Sequence, residues 1–355
     1  MKARGASQTL ARLGILSLGV ALAACGANGG RTAQGGDTPN PTPDPNYSCT
    51  AAQAENPWLA RTDLNFSHRG GALEFPENTL YAYQRSLDVG ADVLEMDVYE
   101  TADGELVVIH DASVDRTTNG SGSVSGYTLA DIQALDAAYW FVPGRGAVAD
   151  GQEADYIFRG IATGEKAPPA GFTAADFRVP TLAETLDRFP NALINIELKP
   201  DPDSTGSYEA KVAQLLIERQ RSDDVIVASF IDIPALLFKP QAPCVSTSFP
   251  TGQAALYVIA SQGPLPMPPL SVHQAFQVPP ELGIPVVTQD FVDDAHAAGV
   301  AVHVWTINEC QDMVDLLALG VDAVMTDRPQ LLEQVLAQPE DARDCGLLVD
   351  YQPEL

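Results

Sequence analysis

Between Leu64 and Leu336 the chain alternates short β-rich runs with stretches whose apolar residues recur at helical spacing. The strand-like runs are "LNFSH", "DVLEMDV", "ELVVIH", "ALINIEL", "DVIVASF", "PCVSTSF", "VAVHVWT" and "VDAVMTD". Between several of them lie "NTLYAYQRSLDVG", "LAETLDRFP", "YEAKVAQLLIERQ", "FVDDAHAAG" and "CQDMVDLLALG", amphipathic and commonly ending in Gly. Repeated strand-then-helix units predict a parallel sheet with crossover helices. Their number and the length of the segment favour an α/β fold of the closed (β/α)8 TIM barrel type over a doubly wound open sheet. No GxGxxG or GxxxxGK follows the first strand, which argues further against an open nucleotide-binding sheet. Residues 141–177, rich in Gly, Ala and Pro, break the alternation and read as an insertion over one end of the barrel, in the position of a lid.

The residues before this pattern belong to something else. Lys2, Arg4 and Arg12 precede "LGILSLGVALAACG", too short for a comfortable membrane span but suited to a signal sequence. The run closes on Leu22-Ala23-Ala24-Cys25-Gly26, the form of a bacterial lipobox. This predicts a signal peptide over 1–24 and lipidation of Cys25; an ordinary signal peptide that happens to contain a cysteine is the alternative. Residues 25–60, rich at first in Gly, Pro and Thr, then read as a flexible tether, 61–340 as the barrel and 341–355 as a tail. The expected location is extracytoplasmic, on the periplasmic side or the cell surface, with the membrane as partner through Cys25. Export places Cys49, Cys244, Cys310 and Cys345 in an oxidising compartment, where they allow one or two disulfides in any of three pairings.

Composition changes the picture in one respect. The 355 residues are 45% hydrophobic, enough for a sizeable core, yet 20 Lys and Arg against 47 Asp and Glu leave a formal charge of -27. Nucleic acid is excluded as a partner, because a phosphate backbone requires clustered cations. No feature sets an oligomeric state.

The chemistry collects where strands end, which in such a barrel is the mouth. His68 ends the first strand and is followed by Arg69. Glu95 and Asp97 stand two apart in "DVLEMDV", so a pleated strand points both the same way. His110 ends "ELVVIH" and precedes Asp111; Glu197 and Lys199 repeat the two-residue spacing, as do His303 and Trp305. Three acids aimed into one mouth repel unless a cation lies between them, and oxygen ligands suit Ca2+ or Mg2+. The competing reading is that one or two of them merely pair with Arg69 or Lys199. Two histidines beside such a cation supply a base and an acid at neutral pH. Arg69 and Lys199 supply positive charge for a phosphoryl group. His273 and His296 are read as structural; His303 stays open between a packed core residue and a site residue. Together these groups suit displacement at a phosphodiester.

These residues, with "HRGG…PENT", "GADVLEMDVYETADGELVVIHDASVDRTTNGSG", "LDAAYWF", "VPTLAETL", "INIELKP", "AGVAVHVWTIN" and "GVDAVMTDRP", resemble the glycerophosphodiester phosphodiesterases over roughly residues 64–338. The resemblance implies a TIM barrel that hydrolyses glycerophosphodiesters to an alcohol and glycerol 3-phosphate with a divalent metal. It implies His68 and His110 as the catalytic pair and Glu95, Asp97 and Glu197 as metal ligands. Arg69 then holds the phosphate, Lys199 neutralises developing charge, and Trp305 contacts the glycerol or leaving group at the mouth. Glu77 and Asn78 match a supporting turn; Arg116 and Thr117 fall in a loop taken as structural. Two alternatives keep the barrel: a lysophospholipase D acting on lysolipids with the same site, and a non-catalytic surface-binding barrel. The retained histidines and acids count against the second. A two-histidine, metal-independent phosphoinositide phospholipase C is disfavoured by the three acids.

Overall fold

The computed structural model describes residue 49 and residues 56–199, 208–269 and 272–348. The predicted signal peptide, Cys25 and the Gly/Pro-rich part of the tether lie outside these residues. The elements in chain order are β1 (Leu64–Ser67), α1 (Leu80–Asp88), β2 (Val93–Glu100), β3 (Leu106–Val108), α2 (Leu129–Ile132), β4 (Phe141–Val142), β5 (Gly146–Ala147), α3 (Leu182–Arg188), β6 (Leu193–Leu198) and α4 (Tyr208–Glu218). There follow β7 (Val225–Ala228), α5 (Asp232–Phe238), β8 (Ser246–Thr247), α6 (Thr251–Ser261), β9 (Ala275–Val278), α7 (Gln289–Ala297), β10 (Ala301–Val304), α8 (Cys310–Ala318), β11 (Ala323–Thr326) and α9 (Pro329–Leu336).

Eight of the strands pair in parallel in the order β8-β7-β6-β2-β1-β11-β10-β9. A parallel bridge between Ser248 and Ala275 joins the two ends, so the sheet closes into the expected TIM barrel. Alternation along each strand then divides the side chains. Leu94, Met96 and Val98 of β2 and Ile194, Ile196 and Leu198 of β6 pack outward, against Leu182 and Leu186 of α3 and Val212 and Leu216 of α4. Each such side chain contributes about 1.5–3 kcal/mol by burial. The residues between them, Glu95, Asp97, Asn195 and Glu197, are left to the interior. On the inside, Phe66, Val93, Ile226, Ala301 and Ala323 form an apolar floor with Trp58, which precedes the first strand.

Two elements differ from expectation. "ELVVIH" is not a barrel strand: β3 pairs antiparallel with the end of β2, Val98 opposite Val108. Only Thr101–Glu105 separate the two, a turn far too short for a parallel crossover. The eighth barrel strand is instead β9, "AFQV", whose four residues carry little pattern of their own. The irregular stretch from 141 to 177 packs Phe158, Ile161 and Phe177 against Phe75 and Tyr81. Tyr81 stacks on Phe177 with ring centroids 4.6 Å apart.

The cysteines pair as Cys49–Cys244 and Cys310–Cys345, with Cα atoms 5.1 and 5.8 Å apart. The second bridge and an Arg343–Asp63 ion pair at 2.8 Å hold the described part of the tail to the barrel.

Candidate active site

The turn after β1 is built from strained backbone. Arg69, Gly70 and Gly71 all have positive φ, at 54°, 78° and 84°. A Cβ on Gly70 would come within 2.9 Å of the Ala82 Cβ, and one on Gly71 within 2.8 Å of Pro329, which is why both are glycine. For Arg69 the left-handed conformation costs about 1–2 kcal/mol. It is held there because its backbone N–H donates to Glu95 Oε2 at 2.7 Å and its carbonyl accepts from the Asn78 N–H at 2.8 Å. The strain turns His68 and the Arg69 guanidinium toward the barrel mouth together.

The in-register pairing of β2 with β6 sets Glu95 opposite Asn195 and Asp97 opposite Glu197. One ligand oxygen from each of Glu95, Asp97 and Glu197 lies within 4.8 Å of the others. Lys199 Nζ is 2.6 Å from Glu197 Oε1 and 3.0 Å from Asp97 Oδ1, and Arg69 Nε is 3.6 Å from Asp97 Oδ2. The readings weighed in the sequence, convergence on a cation or pairing with Arg69 and Lys199, are therefore not exclusive. Burial pushes the Asp97 carboxyl up, but Lys199 and then Arg69 outweigh it and hold the group well below its usual range. At Glu95 the Arg69 N–H bond and charge are too weak to offset burial. Burial, then the charges of Asp97 and Glu197, drive it well above the usual carboxylate range, and Glu197 rises from burial and Asp97 in the same way.

This donor set fits a hard divalent cation. Asp97 Oδ1 is buried and, although near Lys199, receives no aligned hydrogen bond. Two crowded carboxylates held toward their neutral forms would be drawn to their charged forms by a dication between them.

Each site histidine has its own carboxylate. His68 Nδ1 lies 2.6 Å from Asp327 Oδ1, and Asn308 fixes that aspartate by donating from Nδ2 to Oδ2 and accepting the Asp327 N–H, both at 2.8 Å. His110 Nδ1 lies 2.6 Å from Asp111 Oδ1. The paired carboxylate keeps the proton on Nδ1 and leaves Nε2 for chemistry in both rings. Burial raises the Asp327 and Asp111 carboxyls, but the hydrogen bonds and charges of the histidines, with Arg116 at Asp111, lower both overall.

Asp327 was not singled out from the sequence, although it ends β11 as His68 ends β1. An acid at a strand end was the available signal. Arg116, read as structural, does more than close a loop. Its Nε donates to Asp111 at 2.6 Å, and its Nη atoms donate to Glu77 at 2.6 and 2.8 Å. Glu77 in turn stands 3.5 Å from Arg69, so an ionic chain runs from the carboxylate that holds His110 to the Arg69 guanidinium. Asn78 donates to Asp97 Oδ2 at 3.2 Å and accepts from the Tyr83 hydroxyl at 2.7 Å.

His68, Arg69, Glu95, His110, Glu197, Lys199 and Trp305 all line one cavity of about 460 Å³. Its far wall is apolar, with Phe230, Phe249, Val258, Ile259 and Leu282. Trp305 meets Phe230 edge-on at 4.7 Å. None of residues 141–177 lines the cavity, so the insertion is no lid to it.

The remaining histidines stand apart. His303 is fully buried between Trp58 and Phe66 and its pKa falls to about 3 through burial, which resolves it as a core residue. His273 bonds Thr247 at 2.8 Å and His296 bonds Asp322 at 2.8 Å.

Residues 68–331 match the glycerophosphoryl diester phosphodiesterase family. The chain belongs to that family. A family relative, the glycerophosphodiester phosphodiesterase of Caldanaerobacter subterraneus subsp. tengcongensis, is 33% identical over 274 residues, covering 76% of this chain and 96% of its own. The human protein named lysophospholipase D GDPD1 is 26% identical, over 77% of this chain and 85% of its own. The crystal structure of glycerophosphodiester phosphodiesterase from Agrobacterium tumefaciens superposes with a TM-score of 0.58 at 26% identity, covering 77% of this chain and 99% of that one.

Proposed function

We propose that this family member is a metal-dependent phosphodiesterase that cleaves glycerophosphodiesters to an alcohol and glycerol 3-phosphate. The observation that carries this reading is the pairing of two carboxylate-held imidazoles with a three-carboxylate cluster, of which Glu95 and Glu197 line the same cavity as the imidazoles and Asp97 lies buried beside them. Glu95, Asp97 and Glu197 would hold Ca2+ or Mg2+, which when bound supplies Lewis-acid charge opposite the phosphoryl oxygens. Arg69 binds the phosphate, and Lys199 offsets the charge that develops on it. His68 takes a proton at Nε2 from the nucleophile, either a water or the substrate's own glycerol hydroxyl; the latter gives a cyclic phosphate that a water, activated in turn, opens to glycerol 3-phosphate. His110 gives a proton to the leaving alcohol oxygen. The side chain of His110 is 28% exposed against 14% for His68, which suits the histidine that meets a departing group. Trp305 packs against the glycerol or alcohol part.

The apolar wall favours a second reading with the same chemistry, hydrolysis of lysophospholipids, for which the cavity beyond Phe230 would take acyl carbons. The similarity to the human lysophospholipase D supports it. We also read the enzyme as extracytoplasmic and lipid-anchored through Cys25; two formed disulfides agree with an oxidising compartment.

Turnover of glycerophosphocholine and of lysophosphatidylcholine, each with chelator and then with added Ca2+ or Mg2+, tests these points. Release of glycerol 3-phosphate that stops with chelator and returns with metal is expected. Full activity in chelator would remove the metal, and inactivity on both substrates would remove the reaction. A higher kcat/KM for the lysolipid would move the assignment to the second reading.

A further inference from the structure

Among the described residues, the exposed large hydrophobic side chains all fall between Phe230 and Ile284. They include Ile233 (64% exposed) and Leu237 on α5, Leu256 (62%) and Ile259 on α6, and Leu282 (74%) and Ile284 after β9. The sector is also almost without charge. Residues 233–289 contain one Lys, Lys239, and one Glu, Glu281, where 19% of 57 residues would be about 11. A chain of charge -27 thus carries its acid elsewhere and leaves this face bare. Exposed apolar surface on this scale marks a partner.

We propose that this sector is a docking face for the surface of a lipid bilayer of low net charge, with the cavity opening into it. Two observations select that occupant. Phe230, Ile259, Leu282 and Ile284 both line the cavity and stand exposed, so the face is continuous with the wall of the active site. The face has almost no charged side chains with which to fix the register of a protein partner, but it has the bulky aliphatic groups that enter the headgroup–acyl boundary. The surrounding negative charge would repel an anionic surface, which makes a zwitterionic one the preferred target.

The test compares the full chain carrying Cys25→Ser, so that no lipid is attached, with the same chain carrying Ile233→Ser, Leu237→Ser and Leu256→Ser in addition. None of these three lines the cavity. The first protein should co-sediment with phosphatidylcholine vesicles, and the second should bind at least about tenfold more weakly while hydrolysing a soluble glycerophosphodiester at an unchanged rate. Binding to vesicles containing phosphatidylglycerol should be weaker and should recover as salt is raised. Equal partitioning of the two proteins would overturn the proposal. So would a dimer in solution that the triple variant dissociates without any change in vesicle binding, which would assign the face to a second copy. Hydrogen exchange on the first protein decides the matter should the variant not fold: added vesicles should protect residues 231–238, 251–261 and 282–287, and absence of protection there refutes the docking face. Neither readout depends on the hydrolase assignment, since both report binding without turnover.

Discussion

The region of β1, β2 and β6 and the sector from Phe230 to Thr288 line one cavity under opposite rules. In the first, the charged side chains of the site are held against partners: Glu95 on the Arg69 backbone, Asp97 on Asn78, His68 on Asp327. In the second, charge is nearly absent and large aliphatic groups stand in solvent. One wall fixes its polar atoms through a network in which each member holds the next. The other offers area and shape and no fixed direction. Under the proposed function, orientation of the phosphate would fall to one side, and tolerance for what is attached to it to the other.

The largest effects should fall on the first wall. His68→Ala or His110→Ala is expected to lower kcat by about 10²–10⁴-fold with the fold intact by circular dichroism. Near-normal turnover in either would remove that histidine from the reaction.

The next effect separates two kinds of histidine. Burial holds His303 down to about 3, and burial followed by the Lys239 charge holds His273 down to about 4. In the unfolded chain each titrates near 6.5. Below that pH the unfolded chain binds protons that the folded chain excludes, so stability is full above about 6.5 and falls as pH drops toward 4. The loss is up to about 1.4 kcal/mol per pH unit for each group. Urea unfolding between pH 4 and 7 should show His303→Phe with a slope shallower by one proton; an unchanged slope would mean that His303 titrates normally.

A smaller loss of activity should follow Asp327→Asn. By analogy with outer-shell partners elsewhere, kcat should fall on the order of 10–100-fold. KM should stay near its value, because the amide alters how the ring is held and not what binds the substrate; an equal rise in KM, or an unchanged kcat, would make Asp327 structural only. Smallest of all, Leu256→Ser on the apolar sector should change unfolding free energy by no more than about 0.5 kcal/mol. A loss of several kcal/mol would show that this side chain is packed and not exposed.

The two regions also differed in how far the sequence disclosed them. Glu95, Asp97, Glu197 and Lys199 were legible because a pleat turns two-residue spacing into a shared face, and their outward neighbours are plainly apolar. Asp327 was not, since its role exists only once β11 is hydrogen-bonded beside β1, 259 residues away from His68. Arg116 was underestimated for the same reason: its partners Glu77 and Asp111 lie on separate loops. In the apolar sector, helices α5 and α6 went unpredicted because they lack the polar face on which helical periodicity depends. In α6, Tyr257 and Val258 are buried while Leu256 and Ile259 are not, so hydrophobicity does not distinguish inside from outside. Neither helix has a side-chain N-cap, whereas Thr79, Thr181 and Thr288 cap α1, α3 and α7. "ELVVIH" misled for a different reason, since strand character alone does not reveal the direction of pairing.

The Ser248–Ala275 bridge closes the barrel beside a two-residue β8, flanked by backbone bonds from Gln274 to Thr247 and from Phe249 to Ala275. Few hydrogen bonds stitch this seam, compared with the six-residue register between β2 and β6. What the ladder lacks there is supplied by rings: Phe249 stacks on Phe276 with centroids 4.1 Å apart, and Tyr257 and Phe291 flank Phe276 at 4.5 and 5.3 Å, so the join is secured by packed aromatic area where backbone bonds are scarce.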